Sequence, residues 1–178
     1  MQTPLVHVII VGGSYAGMSA ALTLARSHRK VIIIDGGKPC NSSTPHSHNF
    51  LTQDGVPPAV IAEKARTQLR RYPSVDMVAD SVVSVQGGDG KVSVVTKSGT
   101  QFAGKRLVIA TGINDLLPDI AGFRECWGIS VLHCPYCHGY EVSHQRWGVL
   151  VSGEHTLEYV SLLYNWSKDL ILFSQVDT

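Results

Sequence analysis

Leu5-Val6-His7-Val8-Ile9-Ile10-Val11 runs straight into Gly12-Gly13-Ser14-Tyr15-Ala16-Gly17, and no other stretch of the chain restricts the fold as much. The first run is apolar and rich in β-branched residues, the composition of a strand buried on both faces of a parallel sheet. Met18 to Arg26 is rich in Ala and Leu and reads as a helix. After Ser27-His28-Arg29-Lys30 a second apolar strand, Val31 to Ile34, ends in Asp35. Strand, glycine turn, helix, strand and terminal acid thus follow one another within about 30 residues, which is a βαβ unit with a Rossmann-like phosphate turn.

Each position has a physical task in a dinucleotide-binding unit. Gly12 permits the tight turn and Gly17 lets the helix approach the strand, while N–H groups at the helix start face a pyrophosphate that the helix dipole favours. Asp35 is placed to accept ribose hydroxyls. Ser14 departs from the usual pattern, because a second glycine normally stands there; a serine keeps the backbone donor and adds one hydroxyl.

The rest of the chain stays α/β with an inserted β element. Pro57-Pro58 precedes Ala59 to Tyr72, where Ile61, Ala65, Leu69 and Tyr72 recur at helical spacing, predicting an amphipathic helix. From Ser81 the period changes to two. Ser81 to Gln86, Lys91 to Thr96 and Thr100 to Phe102, separated by Gly-rich turns, predict a three-stranded β-meander. Arg106-Leu107-Val108-Ile109-Ala110-Thr111-Gly112 then reads as a buried strand whose small terminal residues let a backbone lie against a ligand. Arg146 to Val151, a helix through Leu157, Val160, Ser161 and Tyr164, and a strand from Leu170 to Phe173 have the shape of a second Rossmann unit.

Cys134-Pro-Tyr-Cys137, followed by His138-Gly139-Tyr140-Glu141, carries the chemistry. Two thiols two residues apart form a dithiol/disulfide couple, or supply half of a zinc site, or pack as small apolar residues. Zinc is disfavoured because Cys40 and Cys126 are far apart in sequence, and His133 and His138 directly adjoin the pair, which strains a tetrahedral set. Redox chemistry is the favoured reading, and no metal is expected.

Composition removes other classes. The 178 residues are 44% hydrophobic, enough for one ordinary core or for one domain and part of a second. A net charge of +1 with no long basic run gives no footprint for nucleic acid, and Arg70-Arg71 reads as a solvated helix face. The apolar run near the start is too short to cross a bilayer and has no charged leader before it, so no membrane association is expected. Four cysteines do not make a secreted disulfide framework, and a cytoplasmic location is expected.

Taken in order, Gly12 to Gly17, Asp35, the meander, Ala110-Thr111-Gly112 and the Cys-x-x-Cys after Pro118 and Gly122 resemble the low-molecular-weight thioredoxin reductase family of flavoproteins. The run Cys-Pro-Tyr-Cys-His-Gly-Tyr-Glu is similar to the thioredoxin reductase-like branch that includes dithiol oxidases. The resemblance implies FAD in the N-terminal site. It sets Gly12, Gly13, Ser14, Tyr15, Ala16 and Gly17 along the pyrophosphate and Asp35 and Gly36 by the adenosine ribose. Asn41, His48, Asp54, Val82, Ala110, Thr111 and Gly112 complete the implied cofactor set, with His46 and His48 as candidates for the flavin side. It further implies that Cys137 faces the flavin and Cys134 exchanges with a small dithiol or disulfide, or with a thioredoxin-like protein. His138 takes the place of a common acidic residue and is a candidate to shuttle protons or to lower a thiol pKa.

The same resemblance implies an FAD-binding domain over 1–125 and the start of an NAD(P)H-type domain over 126–178. In the second domain the turn Ser152-Gly153-Glu154-His155 keeps one glycine and sets Glu154 where a pyrophosphate would lie. The repulsion is about 1 kcal/mol or more, which argues against NADPH. The resemblance also implies a longer chain that returns to the first domain, so a fragment, or a half completed by another chain, is expected; beside flavin-dependent dithiol exchange, the alternatives are an NADPH-dependent thioredoxin reductase and a truncated flavoprotein half without turnover. A partial sheet leaves apolar edges, and a homodimer is expected.

Overall fold

A computed structural model describes residues 5–174. By compactness the chain divides into two units. The first takes the chain up to Ser43 together with Pro57–Pro118; the second takes Thr44–Val56 and the chain from Asp119 onward. The change of unit falls after Pro118, and a loop from the first half of the sequence belongs to the second unit.

The first unit is a six-stranded sheet with two helices. Its strands are β1 (Val6–Val11), β2 (Val31–Asp35), β3 (Val75–Ala79), β4 (Val82–Gly88), β5 (Lys91–Thr96) and β6 (Gln101–Ile109), in the order β3-β2-β1-β6-β5-β4. The helices are α1 (Tyr15–Arg26) and α2 (Pro58–Leu69). β1 pairs in parallel with β2 and β6, and β2 with β3; β4, β5 and β6 pair antiparallel.

The apolar runs explain the centre of this sheet. Ile9, Ile10, Ile33 and Ile34 are at most 1% exposed, and β1 and β2 divide their side chains between two clusters. Val8, Ile10, Val31 and Ile33 pack with Met18 and Ala21 of α1, whereas Ile9, Ile32 and Ile34 pack with Val94. Burying each such side chain contributes roughly 1.5–3 kcal/mol, which holds the central strands in register.

Two strands and the starts of two helices differ from the sequence reading. The third meander strand and the buried strand after it are one strand, β6, whose first part pairs with β5 and whose later part pairs with β1. Gly104 in its middle looks like a break, but it is a packing contact: a Cβ there would lie 2.9 Å from Ile9 Cγ1. β3 has no signature of its own in the sequence, because Val-Asp-Met-Val-Ala has no clear period; it is a strand because β2 offers its free edge. The helices also begin earlier than their apolar periodicity suggests, at Tyr15 and Pro58, and Pro58 takes the first-turn position that needs no N–H donor.

The second unit holds β7 (Trp147–Val151) and β8 (Leu170–Ser174), paired in parallel across α5 (Thr156–Leu163). Val149, Val151 and Leu163 form its small core. Two single-turn helices, α3 (Phe123–Cys126) and α4 (Pro135–His138), precede them. Among the described residues no helix is long and apolar enough to cross a membrane.

Candidate active site

The glycine turn of the first unit is shaped by close backbone approach. Gly12 has φ +104°, and a Cβ on it would overlap the Ala110 carbonyl; a Cβ on Gly17 would overlap the Gly12 carbonyl. A Cβ on Gly13 would stand 2.7 Å from Asp35 Cβ, and one on Gly36 would stand 2.7 Å from Ser81 Oγ. The Gly12 amide donates to the Ile34 carbonyl at 2.8 Å and the Ala110 amide to the Val11 carbonyl at 2.8 Å. These contacts draw the ends of β1, β2 and β6 together, so Gly12, Gly13, Asp35 and Ala110 form one cradle. Substituting a side chain at these glycines would fill it.

Ser14 is the N-cap of α1, with extended backbone and no side-chain cap bond. The first turn of a 12-residue helix, through Tyr15, Ala16 and Gly17, therefore points its amides at the cradle, as an anion site requires. Asn41 Nδ2 donates to the Tyr15 hydroxyl at 3.3 Å, which ties the loop after β2 to the start of α1. Thr111 and Gly112 follow β6 and are exposed, Gly112 at φ +69°. Val82, at the start of β4, packs against the cluster of Ile9, Ile34 and Val94. The donor set and the Cβ-free cradle fit a dinucleotide.

The second unit carries the dithiol. Cys134 and Cys137 are joined as a disulfide, with Cα atoms 5.3 Å apart, and both are partly buried. Pro135 opens α4 where no N–H is needed, and the amides of Cys137 and His138 both donate to the Cys134 carbonyl at 3.2 Å. Gly139 lets the turn close, since a Cβ on it would press on the Pro135 carbonyl and stand 3.0 Å from Trp166 Cδ1. Tyr136, between the cysteines, meets Trp166 edge to face at 5.2 Å. Just before Cys134, His133 stacks on Trp127 at 5.2 Å, and Trp127 on Phe123 at 6.0 Å.

Imidazoles and carboxylates surround that turn. The loop Thr44–Val56 is closed by the Ser47 amide on the Val56 carbonyl at 3.0 Å and the Gly55 amide on the Ser47 carbonyl at 2.8 Å. It presents His48, whose Nδ1 lies 3.3 Å from Glu141 Oε1 and 3.7 Å from Asp54 Oδ1. Asp54 also accepts the Asn49 amide at 2.8 Å. The His48 ring stands edge-on to His138, with centroids 6.5 Å apart, and 6.4 Å from His46. Burial, followed by the nearby His133 and His48, holds His138 below the usual histidine range, while Glu141 acts in the opposite sense.

His48 and Asp54, expected among the cofactor residues, are thus grouped with Cys134, Cys137 and His138 in the second unit. The residue that sequence reasoning passed over is Glu141. Its only signal was its place at the end of the Cys-Pro-Tyr-Cys-His-Gly-Tyr-Glu run, and nothing local reveals that a loop histidine reaches it. Cys40 and Cys126 are free thiols.

A family model described as "Pyridine nucleotide-disulphide oxidoreductase" matches residues 6–153. The thioredoxin reductase tcpT of Claviceps purpurea is 35% identical over 152 residues, covering 84% of this chain and 47% of that protein. The crystal structure of an oxidoreductase from Agrobacterium tumefaciens superimposes with a TM-score of 0.91 at 40% identity, covering 96% of this chain and 57% of that one. The structure of HlmI gives a TM-score of 0.91 at 38% identity over 97% of this chain and 56% of its own. The chain spans about half the length of the curated relatives it matches. With the βαβ cradle, the Cys-x-x-Cys turn and these likenesses together, the chain belongs to the pyridine nucleotide-disulphide oxidoreductase family and is thioredoxin reductase-like.

Proposed function

We propose that the protein is a FAD-dependent dithiol-disulfide oxidoreductase that moves electron pairs between a thiol substrate and flavin through Cys134 and Cys137. The observation that carries this reading is the Cys134–Cys137 disulfide, held in a single helical turn and flanked by His138, His48 and Glu141. Gly12, Gly13, Ser14, Tyr15, Ala16 and Gly17 would hold the FAD pyrophosphate, and Asp35 and Gly36 the ribose. Asn41, Ala110, Thr111 and Gly112 would close the site. When bound, FAD supplies the two-electron partner for the dithiol.

The chain's own groups perform thiol exchange. A substrate thiolate attacks Sγ of Cys134; the bond to Cys137 breaks and Cys137 leaves as a thiolate. The second substrate thiol displaces Cys134, so the substrate leaves as a disulfide and the cysteine pair is left reduced. The two substrate thiols give up their protons one at a time to His138, which its surroundings hold neutral, and the cysteine pair is left as two thiolates. A bound FAD would be the acceptor for this electron pair, with oxygen or another carrier as the final acceptor.

A second reading, an NADPH-dependent reductase of a thioredoxin-like protein, is favoured by the family description and by relatives named thioredoxin reductase. The turn between β7 and α5 weighs against it. Glu154 and Glu158 stand at the start of α5, both highly exposed, with His155 3.7 and 3.4 Å from them. Two carboxylates at that helix start repel a pyrophosphate. Anaerobic addition of NADPH separates the readings: rapid bleaching of the flavin supports the reductase, and bleaching by dithiol alone supports the first reading. The proposal takes the cytoplasm as the compartment and a homodimer as the assembly; exposed Leu157, Ile171 and Phe173 in the second unit support association.

A further inference from the structure

Glu141 belongs to neither the glycine turn nor the dithiol, yet its carboxylate meets an imidazole from the loop Thr44–Val56. Its Oε1 lies 3.3 Å from His48 Nδ1, while Asp54 Oδ1 lies 3.7 Å from the same nitrogen and already accepts the Asn49 amide. The Glu141 side chain is 39% exposed against 71% for Asp54, so the shorter contact is also the less solvated one. A carboxylate oxygen 3.3 Å from Nδ1 favours the tautomer that carries the ring proton there and leaves the lone pair on Nε2, whereas Asp54, at 3.7 Å, lies beyond hydrogen-bond reach. The His48 side chain is only 21% exposed, so its orientation is set by these partners rather than by solvent.

We propose that Glu141 is a positioning residue: it holds His48 in the Nδ1-protonated tautomer, so that Nε2 takes up the protons which His138 receives from the exchanging substrate thiols. This rests on the thiol-exchange function proposed above. The groups that face His48 are Glu141, Asp54, His46 and His138; those that face His138 are His133, His48 and Glu141. The rings of His48 and His138 are 6.5 Å apart by centroid, a separation that a bridging water spans. In each transfer one S–H bond breaks and one N–H bond forms on His138. That proton then passes through water to Nε2 of His48 and on to solvent, and no electrons change hands. Burial keeps His138 in its neutral, proton-accepting form near neutral pH.

The test uses the purified full chain and does not depend on flavin turnover. Nitrogen NMR of the His48 ring reports the tautomer directly, and single-turnover reduction of the Cys134–Cys137 disulfide by dithiothreitol reports proton handling. The expected results are an Nδ1-protonated His48 and an exchange rate about tenfold lower in Glu141→Ala, restored by added imidazole and near the starting value in Glu141→Asp. A His48 protonated on Nε2, a Glu141→Ala rate equal to that of the unaltered protein, or a slow rate that imidazole does not restore would each overturn the proposal. If instead Cys134→Ser leaves dithiol turnover intact, the functional reading itself fails.

Discussion

His48 Nδ1 sits 3.3 Å from Oε1 of Glu141, joining the loop Thr44–Val56 to the turn that carries Cys134 and Cys137. A thiol pair alone stores electrons but has no provision for the protons that accompany them. In the proposed relay this contact, made by two separate stretches of sequence, supplies that provision.

Replacing Cys134 or Cys137 with Ser removes the disulfide without touching the β1–α1 cradle. Dithiol turnover is expected to fall to background in either variant, while flavin remains bound. Turnover assays alongside the visible spectrum of each purified variant check this, and loss of flavin together with activity would count against the separation of roles.

Gly12→Ala tests the cradle. The residue has φ +104° and a Cβ would overlap the Ala110 carbonyl, so both backbone strain and a steric clash oppose the change. The expected cost is about 2 kcal/mol or more of stability, together with loss of retained FAD. Urea denaturation and flavin content after gel filtration measure the two effects; a variant with unchanged midpoint and full flavin would contradict the reading.

What was legible in the sequence was what local pattern controls. Val8 to Val11 and Val31 to Ile34 read as buried strands because their whole surface is apolar, and Gly12 reads as a turn because few other residues adopt its backbone. β3 was not legible, since Val75–Ala79 becomes a strand only through the edge of β2. The continuity of β6 through Gly104 was hidden for a related reason: that glycine answers to Ile9 across the sheet, not to a turn. Of the dithiol site, the cysteines and His138 were visible as a motif, whereas the pairing of His48 with Glu141 depends on long-range folding that no spacing rule encodes.

Asp80 gives the first unit an acid-sensitive contact. The Ser98 side chain, then that of Thr96 and the Ser81 amide, hold its carboxyl down to about 2, from an ordinary value of 3.8. A carboxyl depressed by folding contributes stability that is complete above about 4 and lost as pH falls toward 2. Asp80→Asn is expected to flatten the loss of stability across that window, measured by denaturation at a series of pH values. An unchanged pH dependence would show that the contact carries no linkage.

His138 has the opposite chemistry but the same sign. Its folded form binds a proton less readily than the ordinary value of 6.5 allows, chiefly through burial and then through His133 and His48. Its contribution to stability is therefore intact above 6.5 and declines as pH falls through the lower folded value. As a proton acceptor it should set an acid limb in kcat/KM whose midpoint lies below 6.5, and His138→Gln should remove that limb. A limb that persists unchanged in the variant would assign it to another group.

An anaerobic titration of the purified protein with a small dithiol, followed through the flavin's visible band, tests most directly whether Cys134 and Cys137 pass electrons to flavin. The unaltered protein is expected to carry flavin whose band bleaches on dithiol addition, and no bleaching is expected in Cys137→Ser. A protein that holds no flavin even after reconstitution, or one whose flavin bleaches equally well without Cys137, would contradict this expectation.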